Sequence, residues 1–388
     1  MRQAISRTRS EVRAGALEVA RFRLTRHHLL GQPAADAVTL CRDICGAQAQ
    51  ILPAAHLQLW ARNHAITRSA IESALWKSRT LVKTHVMRQT LHLIPADEFL
   101  LYTAALRRYL LAFALRIMAR CGVSSKEADG LTELIMDVMA AGPLTRAEIT
   151  AAVRPKVSKR VRAWMDKVWS IVRIPVAEGL LCYGSGEGNE VQLVRTDHWL
   201  TEGKPRPVPE ADAQCALLRK YLRAYGPATL SDFSFWSGLP ATQVRPLRAS
   251  LEIELAEVNV EDEPCLLLRE DLDLLKSSAR PGCAVCLLPH FDPYLLAHRE
   301  KDHLLEDKHY KRVYRNQGWI SPVLLVDGMI AGTWSYKSQG GKVQVVIEPF
   351  ASLKRVTREA TIEQVEKLAG FLGGTLDLVF RGPASGKK

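Results

Sequence analysis

Residues 131–194 read LTELIMDVMAAGPLTRAEITAAVRPKVSKRVRAWMDKVWSIVRIPVAEGLLCYGSGEGNEVQLV, and the breaks in this stretch decide the fold. Apolar side chains recur at helical spacing over 131–141, and Gly142-Pro143 ends that run. Thr145-Arg146-Ala147-Glu148 is a capping box: hydroxyl and carboxylate each take one of the backbone N–H groups left over at a helix start, so a second helix opens there. A third helix, rich in Lys, Arg and Trp, is expected over 160–178. Leu180-Leu181-Cys182-Tyr183 and Val191-Gln192-Leu193-Val194 flank a glycine-rich turn and read as two short strands. Three helices closed by a two-stranded wing is the plan of a winged helix.

The same plan recurs on either side. Downstream, the Pro-rich run Lys204-Pro205-Arg206-Pro207-Val208-Pro209 reads as a linker. Helical segments follow at 213–225, 230–237 and 241–251, then strand-like runs at 255–260 and 264–269. Upstream, short amphipathic helices are expected near 35–45, 53–63 and 67–79, the last capped by Thr67, before a strand-like run over 81–94. From about 280 the pattern turns to β structure. Asp327-Gly328 between apolar runs is a hairpin signal, a second turn lies at Gln339-Gly340-Gly341-Lys342, and a last helix is expected over 361–372. The expected fold class is therefore α+β: three tandem winged-helix modules followed by a C-terminal β-sheet or barrel domain. The expected divisions are a basic flexible N-terminus over 1–14, modules at 15–127, 128–203 and 204–279, and the β domain at 280–388.

Lys and Arg outnumber Asp and Glu by 53 to 41, a formal charge of +12. Such an excess favours a polyanionic partner, because each phosphate neutralised releases counterions. The eight cysteines are scattered through apolar segments, as buried thiols in a reducing compartment would be. Cys283 and Cys286 form a C-x-x-C, but no second such pair or H-x-x-x-H accompanies it, so no metal and no cofactor is expected. No stretch approaches the roughly 18 apolar residues of a membrane span, and no apolar signal core follows the charged N-terminus. The expected location is cytoplasmic, at the nucleoid, with no membrane partner.

The cations of the expected helices and turns are the candidate phosphate contacts: Arg79, Lys83, Arg160, Arg162, Lys167, Arg173, Lys337 and Lys342, with Trp164 and Trp169 beside the middle group. Walker A and G-x-G-x-x-G loops are both absent. The unusual feature is Gly46-Ala47-Gln48-Ala49-Gln50, where two glutamines at i and i+2 project to one side of an extended segment.

Gly46–Gln50, together with Met87-Arg88-Gln89-Thr90-Leu91-His92-Leu93-Ile94, resembles the first module of the AlkZ-like winged-helix DNA glycosylases. Tyr225-Gly226-Pro227-Ala228-Thr229, Leu288-Pro289-His290-Phe291-Asp292-Pro293 and the segment 322–334 resemble later parts of that family, in the same order. The resemblance implies an N-glycosylase for alkylated purines in duplex DNA, some relatives unhooking interstrand crosslinks. It puts the catalytic pair at Gln48 and Gln50, with His92 and Arg88 as active-site support. Some relatives carry Q-x-D in place of Q-x-Q. Family members often have glycine where Gln89 and Ala297 stand here.

A labile cationic purine needs no strong acid and no lysine Schiff base, so a monofunctional hydrolase is expected. A monomer fits the multi-module plan. Whether the damaged base is flipped stays open, as do two other readings. One is a non-catalytic winged-helix transcriptional regulator, and the other a protein-assembly module.

Overall fold

A computed structural model describes residues 12–167, 170–186, 191–200, 208–278 and 284–382. Strand β1 (Val12–Ala14) and helix α1 (Ala16–Arg26) open the chain, followed by α2 (Ala37–Asp43), β2 (Ala47–Gln48), α3 (Leu52–Trp60) and α4 (Arg68–Trp76). Thr67 caps α4 by accepting from Ala70 N–H at 3.2 Å. The run expected as one strand-like stretch over 81–94 is an antiparallel hairpin, β3 (Leu81–His85) and β4 (Leu91–Pro95), turned by a short 3-10 segment at Met87–Gln89. A 22-residue helix, α5 (Phe99–Arg120), then crosses between two cores.

Next come α6 (Ser125–Val138), β5 (Leu144–Thr145) and α7 (Arg146–Val153), the last opened by the expected Thr145–Glu148 box. The helix expected over 160–178 is instead two pieces, α8 (Lys159–Met165) and α9 (Arg173–Ala177). Pro175 explains the restart: within the first turn of a new helix its missing N–H costs nothing, whereas deep inside a continuous one it would break a bond and clash. Trp169 lies outside the described residues, as does part of the turn before β7. Strands β6 (Leu181–Tyr183) and β7 (Gln192–Arg195) and the short α10 (Thr196–Trp199) complete this part. The linker expected at 204–209 falls mostly outside the described residues. Beyond it are α11 (Glu210–Tyr225), α12 (Leu230–Ser237), α13 (Ala241–Ser250), the hairpin β8 (Leu255–Val260) and β9 (Glu263–Leu268), and α14 (Leu272–Ser277).

The last region holds β10 (Val285–Leu288), α15 (Pro293–Leu296), α16 (Tyr310–Val313), β11 (Val323–Val326), β12 (Met329–Gln339), β13 (Lys342–Pro349), α17 (Arg355–Leu372) and β14 (Thr375–Phe380). Asp327 (φ 48°) and Gly328 (φ 87°) make the expected turn between β11 and β12, with Val326 facing Met329. This sheet runs β10-β11-β12-β13-β14 and stays open, so the barrel alternative is corrected to a five-stranded sheet. Only β13 and β14 are parallel there, and α17 connects them over one face.

Two features of the sheets bear on the expected divisions. The hairpins β3–β4 and β6–β7 join into one six-stranded sheet, order β2-β4-β3-β6-β7-β5, through the pair Lys83–Tyr183. Residues 12–14, expected to be flexible, instead pair in parallel with Val258–Val260 of β8. Their alternation puts Ala14 into the small core that Val19 and Phe22 form with Val258 and Leu267. Helix α3 presents Ala55 and Leu59 to one core and Leu57 and Trp60 to the C-terminal sheet. It is the wall between two regions, and the glutamine pair sits at its edge.

Candidate active site

Gly46 lets the chain leave α2 and enter β2. Its φ is +97°, and a Cβ there would stand 3.0 Å from Ile94 Cγ2 and 3.2 Å from Leu93 O. Strand β2 therefore lies tight on β4, with Gln48 opposite His92 and Ala49 N–H donating to Leu91 O at 2.7 Å. The ladder then changes character. Leu91 N–H donates at 3.4 Å to the side-chain Oε1 of Gln50, which takes the place a backbone carbonyl would fill.

Gln48 is 5% exposed, whereas Gln50 faces solvent. Arg88 Nη2 donates to Gln48 Oε1 at 3.2 Å, and its Nη1 donates to Trp236 O at 2.6 Å. A guanidinium has no acceptor, so the oxygen of Gln48 must face it and the NH₂ is left for another partner. Burial draws Arg88 down to about 10, which leaves it charged at neutral pH. Gln58 on α3 grips the other side. Its Nε2 donates to Gln48 O at 3.0 Å and to His290 O at 3.2 Å, joining β2 to the loop before α15.

Just past α3, Arg62 meets Asp292 in two bonds of 2.8 Å, both side chains fully buried. Arg62 also donates to Gln58 O at 2.8 Å and to His27 Nδ1 at 3.1 Å. Burial and the neighbouring Arg62 hold His27 well below the usual imidazole range, so it can accept that bond as the neutral ring. Arg62 and Asp292 lie 230 residues apart in sequence. The sequence singled out Asp292 only within a family segment and gave no signal for Gln58 or Arg62, whose roles come from contacts across the chain.

His92 is 3% exposed and its Nδ1 donates to Thr90 O at 3.0 Å. Burial, then the nearby Arg88 charge, pull it down to about 3, so it is a neutral imidazole and no proton donor at neutral pH.

The expected phosphate contacts divide. Lys337 and Lys342 are exposed beside the β12–β13 turn, and Lys167 is exposed after α8. Arg160 is exposed and donates to Gly122 O at 3.0 Å, while Arg162 is partly buried and donates to Val157 O at 3.1 Å. Arg173 donates to Gln89 Oε1 at 3.4 Å, beside the glutamine-bearing sheet. Arg79 lies over the Trp199 ring at 4.2 Å, held inward at a left-handed φ of 55°. Lys83 is 6% exposed and lowered by burial; its strand position in the joined sheet keeps its ammonium from the surface.

Among the described residues no three His, Cys, Asp or Glu side chains converge as a metal site requires. Cys283 lies outside those residues, and Cys286 is a buried thiol pushed up to about 12 by desolvation. No helix among the described residues is long and apolar enough to cross a membrane.

A mixed α+β chain with a glutamine held at a sheet edge by arginine is the setting in which the comparisons with known proteins fall. The chain belongs to the AlkZ-like DNA glycosylase family, whose model, described as DNA glycosylase AlkZ-like, matches residues 41–371. It is 30% identical over 371 residues to the interstrand DNA cross-link repair glycosylase of Streptomyces sahachiroi, spanning 93% of this chain and 98% of that protein. The solved structure of Streptomyces sahachiroi DNA glycosylase AlkZ resembles it with a TM-score of 0.83 at 27% identity, over 96% of this chain and 100% of that one. The protein is accordingly a DNA glycosylase, and the regulator alternative has no support in these matches.

Proposed function

We propose that the protein hydrolyses the N-glycosidic bond of N7-alkylated purines in duplex DNA, unhooks interstrand crosslinks, and leaves an abasic site. Support comes from family membership and from the crosslink-repair activity named for the Streptomyces sahachiroi relative. The observation that carries it to these residues is the asymmetric fixing of the two glutamines. Three winged-helix modules would hold the duplex, with exposed cations on its phosphates, in the cytoplasm and as a monomer.

An N7-alkylated purine is already cationic and departs without a strong acid, through an oxocarbenium-like transition state. The protein then has to place a water and a few dipoles around the sugar. Gln48 has given its carbonyl to Arg88, so it offers N–H to a phosphate or sugar oxygen. Gln50 has only a long bond at its oxygen and is exposed, so its carbonyl is the acceptor for the attacking water. The Q-x-D relatives fit this division, because an aspartate can accept but cannot donate. No step calls for a lysine nucleophile, metal or cofactor.

The test is excision from a duplex carrying N7-methylguanine and from a crosslinked duplex, scored as alkali-labile sites. Wild type should release the base. Gln48→Ala should bind duplex but lose about 10²–10³-fold in rate, the scale of one transition-state dipole. Gln50→Glu should keep activity while Gln48→Glu loses it. Equal loss in both would overturn the division of roles, and no release by wild type from either substrate would overturn the function.

A further inference from the structure

Among the described residues three Phe, Tyr or Trp side chains are exposed: Phe235 at 39%, Tyr310 at 42% and Trp319 at 40%. A large ring exposed beside groups that fix a candidate catalytic side chain is a candidate contact site. Two of the three stand directly behind groups that hold Gln48. Phe235 precedes Trp236, whose carbonyl receives Arg88. Trp319 packs edge-on against His290 at 5.0 Å and Phe291 at 5.2 Å, the residues whose carbonyls receive Gln58. Both rings are thus tied, through one neighbour, to the hydrogen bonds that fix Gln48.

Trp319 is built in place rather than loosely displayed. Gln317 (φ 60°) and Gly318 (φ 74°) turn the chain just before it, and Trp319 O accepts from Arg315 N–H at 2.8 Å. His290 is tied to the same segment through Nδ1 and Ile320 O at 2.7 Å. Phe291 holds a left-handed φ of 58°, unusual for a bulky residue and a sign of a constrained loop. Phe235 differs in one respect. The Lys301 ammonium lies 5.1 Å from its ring centroid, so its π density is already engaged by a cation. The Trp319 indole has no cation over it among the described residues, and indole is the strongest π partner for one.

We propose that Trp319 is the stacking subsite for the lesion base, taking the cationic face of an N7-alkylated purine against its exposed indole. This rests on the function proposed above and adds the source of selectivity. A normal purine would gain stacking alone, whereas a charged one gains the cation–π attraction as well.

The probe is a duplex with a single 2′-fluoro N7-methylguanosine, which resists cleavage, compared with its undamaged twin. Wild type should prefer the lesion duplex. Trp319→Leu should lose that preference by roughly 2- to 30-fold, the range for one cation–π contact, while its melting temperature stays as in wild type. Trp319→Phe should recover part of the preference, which a purely structural defect would not show. Equal preference in wild type and Trp319→Leu overturns the subsite while leaving the glycosylase reading intact. A wild type that neither prefers this duplex nor releases the base from the cleavable N7-methylguanine duplex overturns both. Gln48→Ala separates the roles: it should keep the preference and lose excision.

Discussion

Two hairpin turns in this molecule share a pair of consecutive left-handed residues and differ in the side chains those residues carry. The turn between β3 and β4 places Arg88 (φ 52°) and Gln89 (φ 63°) consecutively in the left-handed region; the turn between β12 and β13 does so with Gly340 (φ 58°) and Gly341 (φ 73°). Glycine adopts that conformation freely, whereas a residue with a Cβ gives up roughly 1–2 kcal/mol. The inner turn accepts this cost and gains direction: Arg88 reaches Gln48 and Trp236, Gln89 Oε1 receives Arg173, and Gln89 O receives His85 Nδ1 at 2.9 Å. The outer turn aims nothing inward and leaves Lys337 and Lys342 in solvent. Strain is found where a side chain must be placed, and glycine where a loop only has to turn.

The largest effect should come from cutting the inner turn's aim. Arg88→Ala leaves Trp236 O without its donor and frees the Gln48 side chain. Excision should fall about 10²-fold, as for a misdirected transition-state dipole, with stability lowered by about 1–3 kcal/mol for the orphaned acceptor. Arg88→Lys should not restore the rate, because a single ammonium cannot span both acceptors as the planar fork does. Wild-type excision by Arg88→Ala would show that the strain serves packing alone.

Acid should distinguish the turns next. His92 in β4 is held near 3, and His56 on α3 near 4, each chiefly by burial of a neutral ring. The unfolded chain binds their protons below about 6.5 and the folded chain resists them, so their contribution is complete above about pH 6.5 and shrinks as pH falls toward about 3–4. Between about pH 7 and pH 5 each should cost about 2 kcal/mol of stability, read as a falling melting temperature. His92→Gln should flatten that slope. An unchanged slope would mean that His92 stays solvated.

For the outer turn the expected change is in binding alone. Lys337→Ala and Lys342→Ala together should weaken duplex affinity a few-fold and reduce the salt dependence by about one unit for each phosphate no longer neutralised. Single-turnover excision at saturating protein should not change. A drop in that rate would bring the outer turn into the site and erase the contrast.

The sequence displayed the outer turn and concealed the inner one. Gln339-Gly340-Gly341-Lys342 and Asp327-Gly328 announce turns because glycine at positive φ is a local preference, and both occur where expected. The Thr145–Glu148 cap was equally legible, being satisfied by residues three apart. Gln48 stood out through spacing and family likeness, but its partner Gln58 and the Arg62–Asp292 pair depend on contacts that no local pattern encodes. Lys83 misled for the same reason. Its charge reads as surface, yet it lies where two hairpins join into one sheet, a juncture visible only after the chain has folded.

The smallest effect is also the sharpest test of the comparison. Gln89→Gly gives the inner turn the residue that the outer turn already uses. Relief of the left-handed strain should stabilise the fold. The larger backbone entropy of glycine in the unfolded chain and the removal of the 3.4 Å bond to Arg173 oppose it, leaving a net gain of about 0.5 kcal/mol. Because Arg88 keeps its own φ and both its acceptors, excision of N7-methylguanine should stay within about twofold of wild type, a change too small to register as a lost dipole. Higher melting with unchanged excision would mean that Arg88 alone does the aiming. Higher melting with slower excision would place Gln89 and Arg173 in the path that orients Gln48, and the inner turn would then be strained at both residues for the sake of the site.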